Sequence, residues 1–277
     1  MDIVLTGIPR SGTTLTCSLL NQLPQSVALH EPMDPLSLAR LDFPRDYLAG
    51  VADFFAGQRE SLLSDGTALS KVRDGSVPDN PFGTARDVDG RRRSTVDRQR
   101  ARFEKPLAPG FRLVIKHPGF FTATLATLST RFPCYAVVRN PLGTLLSWQT
   151  IRAPIQDGRI PAAEVFDLGL KAALDAEPDR LERQLIVLRW YFARYATMLP
   201  RERVIGYEEL VASGGRVLAA IDPDAARLAE PLESRNTNPL YDAALVRRLA
   251  DRLLADESIT AGFYSASDVA GLRDRWS

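Results

Sequence analysis

Metal-binding and cross-linking residues are scarce here: 277 residues hold two cysteines and two histidines. Cys17 falls in the first predicted helix and Cys134 at the head of a predicted strand, with no Cys-x-x-Cys spacing. Neither a disulfide framework nor a zinc site is indicated. No apolar run approaches the roughly 20 residues a membrane helix needs. No basic and apolar leader precedes the first predicted strand at Asp2, so no secretory signal is expected and the cytoplasm is the default location. Charge of one sign is lacking too. A formal net charge of +1 gives the chain no overall pull towards nucleic acid or an acidic membrane, so any anion must be held by a local cluster. Internal repeats and low-complexity tracts are absent. Lysine is rare: Lys71, Lys105, Lys116 and Lys171 are the only four, so 31 of the 35 basic residues are arginine.

What the chain does have begins at its second residue. Asp2 to Thr6 reads as a buried strand, Gly7-Ile8-Pro9-Arg10-Ser11-Gly12-Thr13-Thr14 as a glycine-bounded loop, and Leu15 to Leu23 as an apolar helix. Gly7 and Gly12 let consecutive N–H groups turn inward, and the helix start adds its unpaired amides and positive dipole end, which together make an anion cradle. The spacing nearly matches the nucleotide-binding pattern Gly, four residues, Gly, Lys, Ser/Thr, but Thr13 stands where the lysine belongs. That lysine serves the β- and γ-phosphates of a triphosphate. The loop is therefore poorly equipped for ATP or GTP, and its cation is Arg10 instead.

Further along, Ser26 to Pro32 is a short strand whose end presents His30 and Glu31. Residues 45 to 63 form a predicted helix read as packing and as a candidate cover for the pocket. From Ser64 to Gly110 the periodicity fails among prolines, glycines and Arg91-Arg92-Arg93. This stretch is expected to be a lid or substrate loop; a nucleic-acid role for the triple arginine is disfavoured by the nearby aspartates and the lack of interleaved aromatics. Phe111 to Pro118 is a buried strand ending in Lys116 and His117, followed by a helix from Thr122 to Arg131. Cys134 to Pro141 is another strand, ending in Arg139, and the next helix carries Leu145, Leu146, Ser147 and Trp148. The remainder is mainly helical, with a long amphipathic helix through Leu181 to Tyr195, a last short strand at residues 203 to 207, a helix from Glu208, and another from Leu245 to Leu254. Strands alternating with helices imply α/β architecture: a central parallel sheet flanked by helices, three layers in all, with every strand's carboxyl end on one rim. A single domain over 1–277 is expected.

Arg139, Pro141 and Ser147 put a guanidinium at a strand end and a hydroxyl on the following helix, a fitting pair for a phosphate monoester. Taken with the first loop, this pattern resembles the sulfotransferases that use 3′-phosphoadenosine 5′-phosphosulfate (PAPS). Pro9-Arg10-Ser11-Gly12-Thr13-Thr14 looks like their 5′-phosphosulfate loop, and Arg139, Pro141 and Ser147 match the spacing of their 3′-phosphate signature. Lys116-His117-Pro118 looks like their strand ending in lysine and proline, and Tyr207-Glu208-Glu209-Leu210 like a segment whose tyrosine lies near the nucleotide. The resemblance covers most of residues 2 to 215. Residues 64 to 110 and the C-terminal helices match nothing in it.

The resemblance implies a P-loop-type fold and metal-independent, in-line transfer of a sulfuryl group from PAPS to a hydroxyl or amine acceptor, a small molecule or a carbohydrate. The protein would act alone or as a homodimer, without nucleic acid. Arg10 and Lys116 would stabilise charge. Glu31, at a strand end 21 residues after Arg10, looks like the glutamate base of tyrosylprotein and many bacterial members. His117 is the competing base, but the aryl and steroid enzymes have one residue between lysine and histidine. Here the two are adjacent, so they leave an extended strand on opposite faces. The alternatives are a nucleotide or small-molecule kinase or NTPase, disfavoured by Thr13 and by the absence of an aspartate in Val137-Val138-Arg139-Asn140, and a non-catalytic nucleotide-binding protein.

Overall fold

A computed structural model describes residues 1–276. Among the described residues nine strands run β1 (Asp2–Gly7), β2 (Ser26–His30), β3 (Thr67–Val72), β4 (Phe82–Arg86), β5 (Arg92–Ser94), β6 (Asp97–Arg102), β7 (Arg112–Lys116), β8 (Cys134–Val138) and β9 (Val204–Gly206). Five of them form a parallel sheet in the order β2-β7-β1-β8-β9. The apolar strands are buried because both faces are covered. Val4, Leu29, Ile115 and Val138 pack on one face with Phe55, Trp148 and Tyr195. Ile3, Leu5, Val114 and Val137 pack on the other with Cys17, Leu20 and Leu210. This is the expected three-layer α/β arrangement.

With all five strands of this sheet parallel, Gly7, His30, Lys116, Val138 and Gly206 end on one rim. Ligands in open α/β sheets bind in such a rim, beside the strand where the order reverses. Here that strand is β1, flanked by β7 and β8. Helix Thr13–Leu20 follows it, helix Pro141–Gln149 follows β8, and helix Tyr207–Ala212 follows β9. Helix Arg45–Ser64 buries Tyr47, Val51 and Phe55, and helix Arg180–Met198 buries Leu185, Leu188, Phe192 and Tyr195, as their spacing requires. No helix among the described residues is long and apolar enough to cross a membrane.

Two expectations need correction. The stretch from Ser64 to Gly110, read as a loop because its periodicity fails, is built of paired strands: β3 pairs antiparallel with β6, and inside that hairpin β4 pairs with β5. Its β3 limb alternates half-buried and buried positions. The returning strand Asp97–Arg102 buries little but Ala101, so it carries no apolar signal of its own. The helix expected from Thr122 to Arg131 is two short helices, Gly119–Ala123 and Leu125–Leu128. They part at Thr124, whose hydroxyl bonds back to the Phe120 carbonyl and meets the Tyr47 hydroxyl at 2.7 Å, a local competitor to helix geometry.

Candidate functional site

The loop after β1 is fixed by its surroundings. Ser11 Oγ donates to Val137 O at 2.7 Å, Trp148 Nε1 to Pro9 O at 2.8 Å, and Arg139 Nη1 to Arg10 O at 3.0 Å. Gly12 has φ of 95°, and a Cβ there would come within 2.8 Å of Tyr207 Cδ2; only glycine fits both the backbone and the neighbour. The first amides of helix Thr13–Leu20 have no intrahelical acceptor, and Gly12, Thr13 and Thr14 line the space in front of the loop. Arg10 itself is in the left-handed region at φ 73°, and so is Glu31 at φ 47°. Residues other than glycine rarely adopt that conformation, and it persists where surrounding contacts over-determine it.

From this bend the Arg10 side chain turns back across the rim. Nε donates to Ser147 Oγ at 3.2 Å and Nη1 to Asn80 Oδ1 at 2.9 Å, and the guanidinium lies 4.8 Å from the centre of the Phe82 ring. Burial, reinforced by Arg92 and Arg139, lowers its pKa to about 9. Arg139 is buried and stacks 4.7 Å above the Tyr207 ring. Nε donates to Asn236 Oδ1 at 2.7 Å and Nη2 to Arg235 O at 2.6 Å. Tyr207 accepts the Arg235 N–H at 2.8 Å, and Glu208 accepts from both Asn140 N and Asn236 Nδ2.

The second cluster forms where β2 and β7 end side by side. The ladder continues one residue past β2, the Glu31 N–H donating to Lys116 O at 2.9 Å. Lys116 Nζ then reaches Glu31 Oε1 at 2.9 Å, and Lys71 Nζ, from β3, reaches Oε2 at 2.6 Å. Two of the chain's four lysines close on one carboxylate. Burial alone would raise the Glu31 pKa, but Lys116, His30 and Lys71 outweigh it and hold the carboxyl well below the usual range. His30 Nε2 is 3.4 Å from Glu31 Oε1, and its buried Nδ1 has no partner among the described residues. Burial and Lys116 lower its pKa to about 4.

His117 points the other way, as adjacent positions on a strand must. Its Nε2 accepts the Met33 N–H at 3.1 Å, and its ring packs 4.5 Å from Phe120 and 5.1 Å from Phe121. Burial holds this imidazole neutral, with a pKa well below the ordinary value.

Both clusters open into one cleft of about 980 Å³. Pro9, Arg10, Gly12, Thr13, Thr14, Glu31, Lys116, His117, Arg139, Ser147 and Tyr207 all line it. Ser11 does not; its buried side chain braces the loop from behind. Helix Arg45–Ser64 contributes no lining residue and serves packing. Lys71, from β3, Asn80, just before β4, Phe82, from β4, and Arg92, from β5, also line the cleft; all four come from the 64–110 stretch, which has no apolar periodicity to place them. The alternation Thr67-Ala-Leu-Ser-Lys-Val was a legible sign of a strand. Nothing in the sequence pointed to its partner or to where the hairpin would dock. Among the described residues no group of three or more His, Cys, Asp or Glu side chains could hold a metal ion.

No family model matches this chain, and no curated protein matches it. Among solved structures, the sulfotransferase STF9 from Mycobacterium avium is similar at 14% identity, with 99% of this chain and 75% of that chain covered and a TM-score of 0.35.

Proposed function

We propose that this chain is a PAPS-dependent sulfotransferase acting on a hydroxyl or amine acceptor. The supporting observation is that the Gly7–Thr14 loop, the Arg139–Ser147 pair and the Glu31–Lys116 pair open into the same cleft. The donor set suits a sulfonucleotide with phosphates at both ends of its ribose. One end meets backbone amides at a helix start, the other a guanidinium and a hydroxyl, and Arg10 lies between them. When bound, PAPS supplies a sulfuryl group on a phosphate leaving group. Pro9 to Thr14 would hold its 5′-phosphosulfate, Arg139 and Ser147 its 3′-phosphate, and Tyr207 would support Arg139.

Glu31 is the favoured base. Its carboxylate is ionised and faces the cleft, whereas the Nε2 lone pair of His117 is taken by the Met33 N–H. A carboxylate gripped by two ammonium groups is a weak base. Lys116 stands at the end of β7, beside the loop that would hold the phosphosulfate. Drawn to the negative charge there, it would leave Oε1 free to take the acceptor proton. Charge on the sulfuryl oxygens would then be met by Lys116, Arg10 and the loop amides, all from the protein. The cleft lining includes Met33, Val96, Phe120 and Ile160, which favours an acceptor with an apolar body.

A kinase or NTPase reading is disfavoured by Thr13 in the lysine position and by Asn140 after β8, where a magnesium-binding aspartate would be needed. Calorimetry without magnesium tests the choice. Micromolar binding of 3′,5′-adenosine bisphosphate is expected, and a preference for ATP–Mg²⁺ would refute the sulfotransferase reading.

A further inference from the structure

The nested hairpin delivers one arginine to the phosphate end of the cleft. Arg92 begins β5, and its backbone is fastened to the segment leaving helix Pro141–Gln149. Its N–H donates to Thr150 O at 3.0 Å, and its carbonyl accepts the Arg152 N–H at 2.9 Å. Ion pairs from Arg152 to Asp87 and Asp89 secure the hairpin tip. Among the described residues the Arg92 side chain makes one hydrogen bond, Nη2 to Thr150 Oγ1 at 3.0 Å, and its buried Nε has no partner.

That one bond links Arg92 to the expected 3′-phosphate residues. Thr150 Oγ1 donates to Ser147 O at 2.9 Å, Ser147 Oγ accepts from Arg10 Nε at 3.2 Å, and Arg139 Nη1 donates to Arg10 O at 3.0 Å. Among the described residues, Arg10, Arg92 and Arg139 form no salt bridge, although Arg152 and Arg159, in the wall of the same cleft, both do. Arg98 is also without a carboxylate, but it belongs to the Glu31 end, where it donates to Met33 O at 2.9 Å. Desolvated charges are costly unless partnered, and gathering like charges raises the cost. Burial, with Arg92 and Arg139 adding to it, lowers the Arg10 pKa to about 9. A dianionic phosphate monoester would relieve all three guanidiniums together.

We propose that Arg92 is the third guanidinium of the ribose 3′-phosphate pocket, beside Arg139 and Ser147, so that the inserted hairpin takes part in holding the nucleotide. This inference rests on the PAPS reading above.

Calorimetry on the full chain tests it with 3′,5′-adenosine bisphosphate, adenosine 5′-monophosphate and inorganic phosphate as probes. Arg92→Gln removes the charge while keeping an amide for Thr150. It should weaken the bisphosphate about tenfold or more and leave the monophosphate within about twofold, with Arg92→Lys falling between. The backbone pairing at residue 92 does not need the side chain, and thermal melting of each variant checks that the fold is kept. Unchanged bisphosphate affinity in Arg92→Gln, equal weakening of both nucleotides, or inorganic phosphate binding as tightly as the bisphosphate would each overturn the role of Arg92. A separate result, the unaltered chain binding bisphosphate no better than monophosphate, would overturn the PAPS reading and the inference with it.

Discussion

Arg139 donates through Nη1 to the carbonyl oxygen of Arg10 at 3.0 Å, so the strand end after β8 and the loop after β1 form one mechanical piece. The two expected anion sites are therefore coupled through a backbone contact as well as through any shared ligand. Arg139 also spends Nε and Nη2 on Asn236 and on the Arg235 carbonyl. Its replacement should thus be felt in the fold and in binding.

Arg139→Ala should lower thermal stability, because it leaves buried acceptors unpaired at a cost of about 1–3 kcal/mol each. It should also weaken 3′,5′-adenosine bisphosphate by at least about tenfold. Melting curves and calorimetry on the same preparation read both. Full affinity in a destabilised variant would make Arg139 a structural residue only.

Glu31→Gln should abolish most transfer while leaving bisphosphate affinity unchanged or tighter. Losing general-base assistance costs about 10²- to 10⁴-fold in rate. Transfer of a radiolabelled sulfuryl group from PAPS to an acceptor, measured beside calorimetry, separates the two effects. A variant with full transfer rate would move the base elsewhere. His117 is then the next residue to change, although Met33 already occupies its Nε2.

Lys71 grips Glu31 Oε2 at 2.6 Å, and its removal should raise the basicity of the carboxylate. Burial opposes ionisation of Glu31, while Lys116, His30 and Lys71 favour it strongly enough to set its pKa below the ordinary 4.5. The stability this ion cluster contributes is present above that ordinary value and is lost as pH falls through the depressed one. In Lys71→Met the acid limb of the transfer rate should move to higher pH by about one unit, and Lys71→Arg should restore it. Superimposable profiles would mean that Lys71 leaves the carboxylate untouched.

The two histidines should give the folded state a pH dependence of their own. Burial, together with Lys116, holds the His30 pKa at about 4 against an ordinary value of 6.5. Between those values the unfolded chain binds the extra proton, so stability rises with pH and falls on acidification. At pH 5 the loss from His30 is on the order of 2 kcal/mol relative to pH 7, and His117, also held neutral by burial, adds to it. Denaturant unfolding at the two pH values measures the difference. No loss at pH 5 would contradict the buried, neutral state of these rings.

Much of the sheet, and the loop and strand-end residues of the cleft, were legible in the sequence. Uninterrupted apolar runs such as Leu113-Val114-Ile115 mark strands buried on both faces, and the glycines at 7 and 12 mark the loop between strand and helix. Glu31, Lys116 and Arg139 could be placed because they end strands of one parallel sheet. Lys71, Asn80 and Arg92 could not, because antiparallel pairing inside residues 64–110 depends on contacts far apart in the chain and on a strand, Asp97–Arg102, that is almost wholly polar. Nor did the motif at Pro9–Thr14 reveal that Arg10 reaches Ser147; that depends on its left-handed backbone, set by the tertiary contacts that hold the loop.

The most direct measurement is a crystal structure with 3′,5′-adenosine bisphosphate bound. The 5′-phosphate is expected on the amides of Gly12 to Thr14, the 3′-phosphate at Arg139 and Ser147 within reach of Arg92, and the open side of the 5′-phosphate facing Lys116 and Glu31. A nucleotide bound in the reverse direction, or away from this cleft, would contradict it.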